Sequence, residues 1–145
     1  MEELLELREH IEQGRYMEAL AAIDEMEEMS RDDKINKIES LMEILLIHLI
    51  KRNAEKRLTR SWEVSIHNAV HKINLTNKRR KAGSSYLSDA ELREALDEAW
   101  QVALPRASLE TLEGCYDIDE LAGMVDKQQL LDQALELISG MSPAK

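Results

Sequence analysis

The chain has no phenylalanine, and two tryptophans and three tyrosines are its only aromatics among 145 residues. A core must therefore be built from Leu, Ile, Met, Ala and Val. Two prolines and five glycines leave few places for turns, and that palette favours helices over sheets. One cysteine, Cys115, excludes an intramolecular disulfide and fits a reducing compartment. The longest apolar run, Leu41 to Ile50, is about half the ~20 residues of a membrane span. It is also interrupted by Glu43 and His48. No basic-then-apolar leader opens the chain, since MEELLELREH begins with acids. The expectation is a soluble, cytoplasmic protein with no membrane partner.

Chemical motifs are equally scarce. Neither GxxxxGK nor GxGxxG occurs, and no GxSxG elbow is present. Cys115 sits in EGCYD, where neighbouring acids blunt a thiol's reactivity. His67 and His71 stand four apart, but no HExxH pattern or Cys/His set accompanies them. The paired ExxH of helical di-metal proteins is missing. No cofactor, metal site or catalytic residue is expected.

What is present is charge, unevenly placed. The net charge of −10 divides into −9 over residues 1–50, +8 over 51–81 and −9 over 82–145. Two acidic ends could neutralise the basic middle internally; the alternative is an anionic ligand or nucleic acid. Lys78, Arg79, Arg80 and Lys81 form the sharpest cluster for phosphate contact. Interleaved aromatics for base stacking are absent, and a nucleic-acid module of this size is usually basic overall. Nucleic acid is therefore the less favoured partner.

Apolar periodicity organises the rest. Leu4, Leu7 and Ile11 mark a first helix, ended by Gly14. Tyr16, Ala19, Leu20, Ile23 and Met26 mark a second. Ser30 with Asp33 reads as a capping pair opening a long helix, DKINKIESLMEILLIHLIKRNAEK. That helix becomes apolar almost all round from Ile44 to Ile50, which identifies it as the centre of the fold. Ser61 is the expected N-cap of the next helix, with Trp62, Ile66, Ala69, Val70 and Ile73 facing inward.

Residues 77–85 form a basic Gly/Ser linker, after which 84–139 has the makings of a C-terminal subdomain. Ser88 with Glu91 and Asp117 with Glu120 are capping boxes for two later helices. Pro105 should stop the first of these, and ASLETLEG reads as a short helix of its own. KQQLLDQALELI is the last helix, with 140–145 a frayed tail. The expected fold is all-α: a single-domain bundle (1–139) of six to eight helices around a long central apolar helix.

His48 lies four residues after Ile44 and seven after Leu41, placing it on the inner face of that helix. A buried histidine there should be neutral and hydrogen-bonded. With Arg60, Ser61 and Trp62 it defines a structural polar cluster, in which Arg60 would pair with Glu39 or Glu43, or with the acidic second helix.

Three ordered segments carry a family resemblance: EQGRYMEAL at Glu12–Leu20, IESLMEILLIHLIKR at Ile38–Arg52 and TRSWEVSI at Thr59–Ile66. YLSDAELREALDEAWQVA at Tyr86–Ala103 fits the same layout. The chain resembles the bacterial domain of unknown function, family twenty-nine. The resemblance implies a helical protein with a leucine-rich central helix bearing one histidine, and it implies no activity.

The function expected is that of a small interaction or regulatory adaptor module, with an unknown protein or a second copy as partner; a homodimer would hide surplus apolar surface. Met26, Met29 and Met42, placed on two neighbouring helices, would suit an adaptable groove. Two alternatives stand beside it: nucleic-acid or phosphate binding through residues 51–81, and a metal-dependent enzyme using His48 and helix carboxylates.

Overall fold

Between Gly14 and Gly83 the sequence contains neither glycine nor proline, so nothing in the backbone forces a helix to stop within that stretch. In the computed structural model, which describes residues 2–78 and 85–140, helix α2 duly runs unbroken from Tyr16 to Glu55. The two helices expected on either side of Ser30 are therefore one. Ser30 and Asp33 lie exposed in its interior, where no free N–H groups need capping. Met26, Met29 and Met42 consequently share one helix rather than two.

The all-α expectation holds, with six α-helices and no strand among the described residues. The chain divides into two compact units, Met1–Lys34 and Ile35–Lys145.

The first unit contains α1, Glu2–Glu12, and the opening of α2. Gly14 at φ +74 ends α1, with Arg15 N–H donating to the His10 carbonyl at 2.7 Å and Gly14 N–H to Ile11 at 3.1 Å. That pairing is a Schellman turn, whose left-handed residue suits glycine. A unit this short has little interior. Ala19 is its one buried apolar residue among those described, and α1 buries none.

The second unit holds the core. Ile38, Met42, Leu45, Leu46, Leu49 and Ile50 of α2 are fully buried. They pack in one cluster with Ile66, Val70 and Ile73 of α3 (Arg60–Asn77) and Leu92, Leu96 and Trp100 of α4 (Asp89–Glu110). Leu121 of α5 (Ile118–Met124) and Leu130, Leu131 and Ile138 of α6 (Lys127–Gly140) complete it. Each such side chain contributes about 1.5–3 kcal/mol by leaving water. At the surface α4 and α6 are tied by Arg93 to Asp132 and by Lys127 to Asp97 at 2.8 Å.

Three local expectations shift. The N-cap of α3 is Thr59, two residues before Ser61, and its hydroxyl accepts from Trp62 N–H at 3.1 Å. Helix α4 passes through Pro105 to Glu110. The proline removes the N–H that would reach the Gln101 carbonyl, but Gln101 is exposed to water. Meanwhile Ala99, Ala103 and Ala107 keep one buried stripe running past the break. ASLETLEG is accordingly no separate helix: it finishes α4 and ends in a 3₁₀ turn, Thr111–Gly114. Both capping boxes, Ser88 with Glu91 and Asp117 with Glu120, form as read.

Asn77, at the edge of the expected linker, is buried and works as a clamp. Its side chain accepts from Leu87 N–H at 2.7 Å and donates to Leu87 carbonyl at 3.0 Å, while its carbonyl accepts from Tyr86 N–H at 2.9 Å. The chain that leaves α3 thus returns to the place it left.

Candidate functional site

Side chains from five places meet in a cleft of about 490 Å³ within the second unit. The end of α2 supplies Lys51 and Glu55, the following turn Arg57, and the start of α3 Trp62. The end of α4 supplies Glu110, and the segment beyond it Leu112, Glu113, Cys115 and Tyr116. Trp62 is only half-buried. Two cations stand over its ring, Lys51 Nζ at 4.8 Å and Arg57 Cζ at 5.0 Å from the centroid. Such stacking attracts a cation to the negative face of the indole.

Two of the cleft's acids, Glu110 and Glu55, are engaged with those same cations. Lys51 Nζ lies 3.4 Å from Glu110 Oε1. The Glu55 carboxylate, with only 5% of its side chain exposed, accepts from Arg57 Nε at 3.0 Å and from Leu112 N–H at 3.2 Å. Glu55 therefore fixes both the arginine and the far wall.

That wall is strained. Leu112 (φ 48) and Glu113 (φ 60) adopt left-handed backbone, as does Lys56 (φ 53) between the lining residues Glu55 and Arg57. These are the three non-glycine residues with positive φ among those described, and all border this cleft. Left-handed backbone at a residue bearing a Cβ costs about 1–3 kcal/mol and tends to gather at functional positions.

His48 stands beside this network rather than at the centre of the core. Ile44, which shares its helical face, is 40% exposed, and the imidazole itself is partly exposed. The buried face of α2 lies instead along Leu45, Leu46, Leu49 and Ile50. Burial is the first cause that lowers the His48 pKa from the ordinary 6.5; the Lys51 charge lowers it further and Glu110 opposes both. The ring is thus held towards its neutral form. No hydrogen bond reaches its buried Nδ1 among the described residues.

Of the other residues in the expected polar cluster, Arg60 and Ser61 face solvent and Trp62 joins the cleft. Among the described residues Arg60 forms no ion pair, and Glu43 is instead 3.8 Å from Arg106. In the basic cluster Lys78 is exposed, while Arg79, Arg80 and Lys81 lie outside the described residues. Within 51–78, Lys51 and Arg57 are ion-paired; among the described residues Arg52, Lys56, Arg60, Lys72 and Lys78 are not.

Sequence reading missed Glu55, Arg57, Glu110 and the 112–114 wall. The crowding of cations ahead of Trp62 in KRNAEKRLTRSW was a usable signal. Leu112 and Glu113 carried none, since neither residue type favours left-handed backbone. Among the described residues no three His, Cys, Asp or Glu side chains converge as metal ligands. No described helix is long and apolar enough to cross a membrane.

The first unit offers a different kind of surface. Leu5, Met17 and Leu20 are 65, 77 and 55% exposed, and Leu4, Ile11, Tyr16 and Met29 are also open. Leu4 and Ile11 lie two turns apart on one face of α1, and Tyr16 and Leu20 one turn apart on α2. Around them residues 1–34 carry twelve acids against four Lys/Arg, net −8.

No curated protein and no solved structure matches the chain at a significant level. A family model does match, and it reaches past the ordered segments into α6 as far as Ala134. Residues 5–134 fit the model described as Domain of unknown function DUF29, and the chain belongs to that family.

Proposed function

We propose that the chain is a protein-interaction module that takes its partner on the N-terminal unit. One observation carries this reading: a two-helix segment with regular apolar spacing leaves seven large apolar side chains open to water, while Leu7, Ile23 and Met26 are half-buried and, among the described residues, Ala19 alone is buried. Exposed apolar residues scattered singly are ordinary, but a group of seven within 34 residues, rimmed by charge, marks a surface that another molecule covers. Leu, Met and Tyr also suit an interface, giving contact area at modest entropic cost.

The test compares the native chain with a Leu5→Ser, Met17→Ser, Leu20→Ser variant as bait in native lysate after nuclease treatment. The native chain should retain a protein at physiological salt that the variant, with unchanged helical circular dichroism, releases. Identical retention by both baits would reject the reading.

A further inference from the structure

Two surfaces of this chain expose apolar side chains beside charge of opposite sign. The first is the acidic, apolar N-terminal unit. The second is the solvent face of α3. Helical geometry sets Arg60, Val64, His67, His71 and Leu75 along one stripe, opposite the buried stripe of Ile66, Ala69 and Ile73, with Lys78 just past the helix end. All six are exposed, and Val64 and Leu75 are open to 51 and 65%. Residues 60–78 carry Arg60, Lys72 and Lys78 against Glu63, net +2, opposite in sign to the −8 of residues 1–34. Among the described residues, none of these three cations is in an ion pair.

From this we infer that the partner of the N-terminal unit is a second copy of the chain, docked through the outer face of α3. The inference rests on the preceding reading of the N-terminal unit as the interaction surface. Several points select this occupant. Pairing two N-terminal units with each other would bring together two surfaces of net −8, and like charges in contact repel. Pairing with α3 sets acids against free cations and apolar residues against Val64 and Leu75, so both apolar patches leave water at once. The lengths also fit: α1 spans about 16 Å and α3 about 27 Å at 1.5 Å per residue.

Each copy carries both surfaces, so a twofold arrangement forms the contact twice. The residual cost of crowding two acidic chains makes the association salt-dependent and concentration-dependent.

The experiment is sedimentation velocity of the full chain over a range of concentrations at about 50 and about 500 mM salt, where the screening length drops severalfold. Three variants accompany it, each checked for unchanged helical circular dichroism. One reverses α3 (R60E, K72E, K78E), one reverses the N-terminal unit (E6K, E9K, E18K), and one removes apolar contact (L5S, M17S, L20S). The native chain should self-associate with concentration, about tenfold more weakly at high salt. Each variant alone should be monomeric, and an equimolar mixture of the two charge-reversed chains should associate again.

A native chain that stays monomeric at low salt overturns the inference, leaving the module reading to its own lysate test. So does an α3-reversed chain that associates as the native one does. In that last case loss of association in the apolar variant would keep the N-terminal unit as an interface with a different seat. Association unchanged in the apolar variant would overturn the inference by placing self-association on another surface, and the module reading would rest on its lysate test.

Discussion

Replacing His48 with leucine should stabilise the protein, contrary to the usual effect of altering a residue in the middle of a central helix. The Nδ1 atom is buried without a partner, and stranding a polar group in this way costs about 1–3 kcal/mol. Leucine has no such atom, has similar bulk, and is the better helix former by about half a kcal/mol. Because the ring is partly exposed, only part of that cost is recoverable, and the expected gain is about 1 kcal/mol at pH 7.5. For a chain of this length that is about 2–4 °C in Tm.

The difference between native and variant should grow in acid. The folded state lowers the His48 pKa below 6.5, chiefly through burial and then through Lys51. The unfolded chain therefore binds the proton more readily. Stability linked to this group is complete above about pH 6.5 and is lost as pH falls towards the lowered folded value; His48→Leu removes that slope. Urea denaturation followed by circular dichroism at pH 7.5 and 5.5 measures both effects. A loss of 1 kcal/mol or more at pH 7.5 would refute the reasoning, because it would show the imidazole bonded to a group that leucine abandons.

Other substitutions probe the remaining features. Asn77→Ala leaves the Leu87 N–H and carbonyl without their partners and should cost about 3 kcal/mol in the same denaturation assay; a loss below about 1 kcal/mol would show the clamp to be dispensable. Glu113→Gly relieves left-handed backbone at φ 60 on an exposed residue and should stabilise by about 1 kcal/mol. A destabilised variant would mean that the Glu113 side chain holds the wall in place. Thr111 is wholly buried and its hydroxyl has no partner. Thr111→Val should therefore be neutral or raise stability by about 1 kcal/mol, measured by thermal unfolding; a loss above that amount would reveal a bonded hydroxyl.

The fold class was legible in the sequence because it depends on local chemistry. Few glycines and prolines, no phenylalanine and a 3.6-residue apolar rhythm all require helices. Gly14 and the two capping boxes are short-range devices, visible within four residues of themselves. The same locality explains the errors. Ser30 with Asp33 has the chemistry of a cap, and Pro105 that of a stop, but each acts only if the helix has no reason to continue. Unbroken helix-forming sequence overrode the first, and a buried alanine stripe overrode the second.

The cleft was out of reach for another reason: Lys51 and Glu110 are 59 residues apart, and no local pattern announces their meeting. Alone, the amino-acid order determined that the chain is helical, where its apolar and acidic stretches lie, and which family it belongs to. Only tertiary structure decided which stripes became core and which stayed in water. Leu46 and Leu20 are the same residue in the same helix, yet one is fully buried and the other 55% exposed. Burial is a property of the neighbours a helix finds, and those neighbours come from distant parts of the chain.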